Sequence, residues 1–101
     1  MPDVLIQKTT FRLDPENGVS MIRWGYLKTK SGPKLFAFKI SAIEATLAKQ
    51  EGVDFLKRSD EIWSQFKNID DISPALYEWQ GSDFVEVEPN KQSWFKLNYS
   101  R

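Results

Sequence analysis

The stretch RWGYLKTKSGPKLFAFK, residues 23–39, carries four aromatic rings and five lysines and arginines with no acid among them. Two readings compete for it. Either it is a hairpin whose rings and cations meet a nucleic acid, or it is the middle of a sheet whose rings fill a core while its cations face water. The turn chemistry bears on the choice. A three-residue loop of Lys30, Ser31 and Gly32 puts glycine third, where a left-handed backbone is needed. That register predicts Tyr26 opposite Phe36, Trp24 opposite Phe38, Ile22 opposite Ile40, Leu27 opposite Leu35 and Gly25 opposite Ala37. All four rings then share one face, because a slip of one residue moves every side chain to the other side of a sheet. Phe11 and Leu13 join that face from the preceding strand, leaving Val4, Ile6, Met21, Leu27 and Leu35 opposite. On this reading the rings are core, not a stacking platform for bases.

Working outward, VLIQKTTFRLD alternates and meets PENG, where Asn17-Gly18 is a strong hairpin signal. Strands are predicted over about 4–13, 19–29 and 34–40. Ser41 and Glu44, in SAIE, form a capping box ahead of a helix that carries Ile43 and Leu47 four apart and stops at Gly52. The next stretch repeats apolar residues at helical spacing, with Phe55-Leu56, Ile62-Trp63 and Phe66. Ser59 is an alternative cap for a shorter second helix. After IDDISP the period returns to two: ALYEWQ and DFVEVE flank Gly81-Ser82 as a hairpin, and SWFKLNY reads as a last strand. The order β-β-β-α-α-β-β-β predicts a single α+β domain over residues 1–101, an antiparallel sheet with the helices packed on one face.

The formal net charge of zero hides a division. Between Glu16 and Glu44 there is no acid, and Arg23, Lys28, Lys30, Lys34 and Lys39 give +5. Between Lys67 and Lys91 there is no base, and Asp70, Asp71, Glu78, Asp83, Glu86 and Glu88 give −6. The predicted registers set Lys28 opposite Lys34, Arg23 opposite Lys39 and Glu78 opposite Glu86. Like charges so opposed repel, so each ribbon invites a partner of the other sign. That partner is the other ribbon of the same chain, another protein, or a nucleic acid held by Lys8, Arg12, Arg23 and Lys39 on the outer face and by Lys28, Lys30 and Lys34 at the tip.

Composition narrows the chemistry. The absence of cysteine removes disulfides, thiol catalysis and thiolate metal sites, and the absence of histidine removes the side chain that titrates near neutrality. No phosphate loop, dinucleotide fingerprint or calcium loop is present. Asp70-Asp71 before Ser73-Pro74 reads as a solvated loop rather than a cation site. Glu86 and Glu88 lie on one side of a strand, about 7 Å apart, without any other mark of a sugar cleft. Ser59 and Ser64 have no base to activate them. No catalytic residue, metal or cofactor is expected.

The N-terminal MPDVLIQKTT lacks the pattern of a secretory signal, and no run approaches a membrane span, so a cytoplasmic protein with no membrane partner is expected. The leading functional expectation is a non-enzymatic accessory or regulatory module that binds a protein partner. Its basic surface is Lys8, Arg12, Arg23, Lys28, Lys30, Lys34 and Lys39; its acidic surface is Asp70, Asp71, Glu78, Asp83, Glu86 and Glu88. The alternatives are nucleic-acid binding through the basic hairpin, with a sequence pI near 6.3 speaking against it, and an inhibitor whose acidic ribbon mimics nucleic acid. An apolar face left uncovered by helices would be a patch of the kind that homodimers or other partners use.

Overall fold

The computed structural model describes residues 4–15, 18–66 and 73–92. Its strands are β1 (Val4–Asp14), β2 (Gly18–Thr29), β3 (Gly32–Ser41), β4 (Ala75–Trp79) and β5 (Phe84–Glu86), with helices α1 (Ala42–Gln50) and α2 (Phe55–Ser64) between β3 and β4. A short 3-10 turn, Pro89–Lys91, follows β5. The α+β class and the element order are those expected, with the strands side by side as β1-β2-β3-β4-β5. One pairing departs from an all-antiparallel sheet. The two-helix crossover returns the chain beside β3 in the same direction, so β3 and β4 are parallel. The last expected strand, within 93–99, lies outside the described residues.

The β2–β3 register differs from the expected one by one residue. Thr29 pairs with Gly32, so the turn is the two residues Lys30 and Ser31, and Gly32 begins the returning strand with φ +109°. The Thr29 hydroxyl donates to the Gly32 carbonyl at 2.6 Å and closes the turn. The pairs are therefore Gly25 with Phe36, Trp24 with Ala37, Tyr26 with Leu35 and Ile22 with Lys39. The four rings divide between the two faces of the sheet. Phe36 and Phe38 point to the helices, together with Leu27, while Trp24 and Tyr26 lie on the other face with Ile22 and Leu35.

The reason is that Leu35, Phe36, Ala37 and Phe38 are all buried. A strand covered on one face alternates, whereas one covered on both faces reads as a continuous apolar run. With both parities of β3 apolar, a slip of one residue no longer exposes a hydrophobic set, and the pattern cannot select the register. Charge can. The observed register sets Lys28 against Pro33, Lys34 against Leu27 and Arg23 against Phe38, which removes the like-charge pairs of the expected one.

The first hairpin follows the same logic. Phe11 pairs with Met21 and Leu13 with Val19, which puts Phe11 and Leu13 on the helix side rather than with Trp24 and Tyr26. Met21 and Leu27 are on that side too and pack with the helix-side cluster, so the expected second apolar face of Val4, Ile6, Met21, Leu27 and Leu35 does not form as a set.

Ser41 caps α1 as expected, its hydroxyl accepting from the Glu44 amide at 3.2 Å. Ile43 and Leu47 do share a face, but it is the exposed one; the helix docks through Ala45 and Ala48, whose small side chains allow close approach to the sheet. Asp54, not Ser59, caps α2, accepting from the Lys57 amide at 3.0 Å. Ser59 is inside the helix and buried. Its hydroxyl donates to the Leu56 carbonyl at 2.7 Å. α2 then presses Ile62 and Trp63 onto the sheet. Phe38 is the hub, with ring centroids 5.3 Å from Tyr77, 5.6 Å from Trp63 and 5.2 Å from Phe84.

Arg23 ties α2 to β2. Its guanidinium donates to the Ser59 hydroxyl at 2.6 Å and to the Leu56 carbonyl at 3.1 Å, and it meets the Asp60 carboxylate at 2.7 Å. The Gln7 amide oxygen, in the orientation the network requires, accepts from Arg23 Nε at 2.9 Å. Only 16% of the Arg23 side chain is exposed, against 62% for Asp60, so the part-buried bond to Ser59 is the one that water replaces least readily. Arg23→Ala is expected to lower unfolding free energy by about 2–3 kcal/mol, measured by urea denaturation, while an exposed substitution such as Lys30→Ala changes it by no more than about 0.5 kcal/mol.

Candidate interaction surfaces

The basic residues separate into two groups. Arg23 is committed to α2. Lys39, on the face of Ile22 and Ala37, forms an ion pair with Asp14, and both side chains are nearly buried, at 12% and 8% exposed. The two were expected to oppose each other on an outer face; they lie on opposite faces, each satisfied inside the fold. Lys8, Arg12, Lys28 and Lys30 are exposed and Lys34 is half-buried. Lys8 and Arg12 share the face of Trp24, as does Lys28, and the Lys8 ammonium sits 6.0 Å from the centre of the Trp24 ring. Lys34 projects to the helix side, so Lys28 and Lys34 flank the hairpin tip from both sides.

On the acidic ribbon, Asp70 and Asp71 lie outside the described residues. The β4–β5 register pairs Glu78 with Val85 and Tyr77 with Glu86, which again parts the two glutamates that a three-residue loop would oppose. The connection is four residues, Gln80 to Asp83. The Gln80 amide donates to the Asp83 carbonyl at 2.9 Å, and Gly81 supplies the left-handed residue at φ +90°. Asp83 belongs to the fold as much as to a surface. Arg58 of α2 grips it with two parallel bonds, Nε to Oδ1 at 2.7 Å and Nη2 to Oδ2 at 2.9 Å, a geometry that suits a guanidinium and a carboxylate. The Arg58 hydrogen bonds hold the Asp83 carboxyl below its ordinary range, against a smaller opposing effect of burial.

Glu78, Glu86 and Glu88 line an open cleft of about 590 Å³ together with Gln80, Val87 and Lys91. Lys91 enters it from the 3-10 turn, which Gln92 anchors by donating to the Val87 carbonyl at 2.6 Å. Gln80 and Lys91 were not foreseen as site residues; nothing in their sequence spacing marks them, since the turn alone brings them to the cleft. The acidic and basic ribbons are neighbours through β3 and β4, with Lys39 beside Glu78. Lys39, Ser41, Glu44, Glu78 and Trp79 line a small open pocket of about 150 Å³. Tyr77, half-buried under Phe38, is pushed up to about 12, first by burial and then by the Glu86 charge. Among the described residues no group of three or more acids is placed to hold a metal ion, and no helix is long and apolar enough to cross a membrane.

Two titrations check this geometry. Because the folded Asp83 carboxyl is more acidic than in the unfolded chain, its pair with Arg58 stabilises the fold fully above its ordinary value of 3.8 and loses that effect as pH falls through the lower folded value. The stability gap between the wild type and Asp83→Asn is therefore expected to be constant at neutral pH and to close in acid, followed by denaturant unfolding as a function of pH. For Tyr77, the phenolate absorbance missing from Tyr77→Phe is expected to appear only near pH 12. No protein-family model, no curated protein and no solved structure matches this chain.

Proposed function

We propose that the protein is a small non-enzymatic accessory or regulatory module that binds another protein through charged surfaces of opposite sign. The observation that carries this reading is the division of its charges. Arg23, Lys39 and Asp83 are tied into the fold, while Lys28, Lys30 and Lys34 surround the β2–β3 tip and Glu78, Glu86 and Glu88 line a cleft on β4–β5. Patches of one sign steer encounter and set specificity more than they set raw affinity. The rings of the basic hairpin are committed to packing: Tyr26, Phe36 and Phe38 are buried and Trp24 is half-buried, which leaves the tip a set of ammonium groups without a base-stacking platform. A surface of that kind fits carboxylates displayed by a folded partner.

The reading has a direct test. Replacing Lys28, Lys30 and Lys34 together by Glu is expected to leave the far-ultraviolet circular dichroism and unfolding midpoint nearly unchanged, since none of the three is buried. The same change is expected to reduce partner capture about tenfold or more, as is the charge reversal of Glu78, Glu86 and Glu88 if the cleft forms the other half of the interface. Capture unaffected by both sets would sink the proposal. Binding of single-stranded DNA or RNA at low salt, steeply weakened by added salt and abolished by the lysine changes, would replace it with nucleic-acid recognition.

A further inference from the structure

We infer that the turn end of the β1–β2 hairpin is a self-association surface through which two copies of this chain form a weak two-fold dimer. The hairpin overhangs the sheet. The last β2 residue paired with β3 is Ser20, opposite Ser41, whereas β1 and β2 stay paired two steps further, through Leu13 with Val19 and Asp14 with Gly18. Among the described residues that end has no third strand, and α1 docks elsewhere, through Ala45 and Ala48 onto the cluster holding Phe36 and Ile40. A two-stranded ribbon is marginal in water unless one face is packed.

The face in question is apolar. Phe11 is 70% exposed, Leu13 78% and Val19 49%, and Ile43, two residues past the Ser41 that pairs with Ser20, is 71% exposed. β1 sorts its side chains by parity, so Lys8 and Arg12 point to the opposite side and no charge on β1 itself interrupts Thr9, Phe11 and Leu13 on this one. Arg23, opposite Thr9 on this side, is held by Ser59 and Asp60. The four apolar residues expose on the order of 500 Å², the size of the largest patch on an ordinary monomer. Two such patches together come to on the order of 1,000 Å², the lower bound of a specific interface.

The occupant that fits is a second copy. A two-fold axis sets the same patch against itself, Phe11 and Leu13 of one ribbon over Leu13 and Val19 of the other, and an uncharged surface meets its own image without repulsion. The formal net charge of zero removes the long-range repulsion that keeps like chains apart. An interface this small predicts rapid exchange between monomer and dimer, and its apolar character predicts that salt does not dissolve it.

Sedimentation equilibrium of the full chain tests the inference. The mean mass is expected to rise from 11.8 kDa toward twice that value between about 10 µM and about 1 mM protein, in ~0.5 M as in ~0.05 M sodium chloride. Leu13→Asp and Phe11→Thr, both at exposed positions, are expected to keep the wild-type circular dichroism and to stay at 11.8 kDa throughout. In the wild type, dilution is expected to shift the amide resonances of Phe11, Leu13, Val19 and Ile43 while leaving those of the β2–β3 tip in place. A wild type that remains monomeric over the whole range overturns the inference. So does association that persists in both variants, or that dissolves in the higher salt, which would move the contact to the charged surfaces.

Discussion

The structure depends on one strand being sealed on both sides. Leu35 to Phe38 of β3 bury four consecutive side chains, and consecutive side chains point to opposite faces. The fold must therefore supply two apolar environments at once. α1 and α2 supply one over Phe36 and Phe38, with Ile62 and Trp63 pressed against the rings. The other gathers Ile22, Tyr26, Leu35, Ala37 and Leu76, with Trp24 and Val87 at its margin. Placing β3 at the centre of five strands gives both its edges a ladder, and α1 and α2 cover the face of Phe36 and Phe38.

That burial governs the charged residues too. Arg23 and Lys39 come from strands with apolar side chains at both parities, so each lands in a crowded place and needs partners there. Arg23 finds the Ser59 hydroxyl, the Leu56 carbonyl and Asp60; Lys39 finds Asp14. A charge taken out of water is tolerated only when hydrogen bonds and an opposite charge replace what it loses. Arg58 and Asp83 do similar service nearer the surface, tying α2 to the β4–β5 turn. Lys8 and Arg12 on β1 and Lys28 and Lys30 at the β2–β3 tip are exposed, as are Lys49, Lys57 and Lys91 outside the sheet.

Both the β2–β3 and the β4–β5 hairpins illustrate how register is decided when hydrophobic pattern alone is silent. In each, shifting the pairing by one residue separates like charges: Lys28 from Lys34 in the first, Glu78 from Glu86 in the second. Each such repulsion is a few tenths of a kcal/mol, too small to choose a fold but enough to tip two registers that bury similar apolar area. The glycines then serve the outcome from a different position than a turn rule assigns. Gly32 opens a strand instead of completing a loop, and its positive φ is used there all the same.

What the sequence determined by itself is the inventory and its order. Period-two and helical spacing located β1 to β5 and both helices, Ser41 announced the start of α1, and the segregation of +5 and −6 along the chain was legible before any fold. Tertiary structure decided the rest: which face each ring takes, the parallel pairing of β3 with β4, and which charges stay available. Local pattern could not reach these because they depend on contacts between residues far apart. Arg23 is drawn from the basic surface by Ser59 and Asp60 of a helix more than thirty residues away, and Lys39 by Asp14 across β2. Phe11 and Leu13 alternate like any half-buried strand, yet both are exposed, and no described element folds back over them. Periodicity records which side chains share a side; only packing determines whether that side is covered.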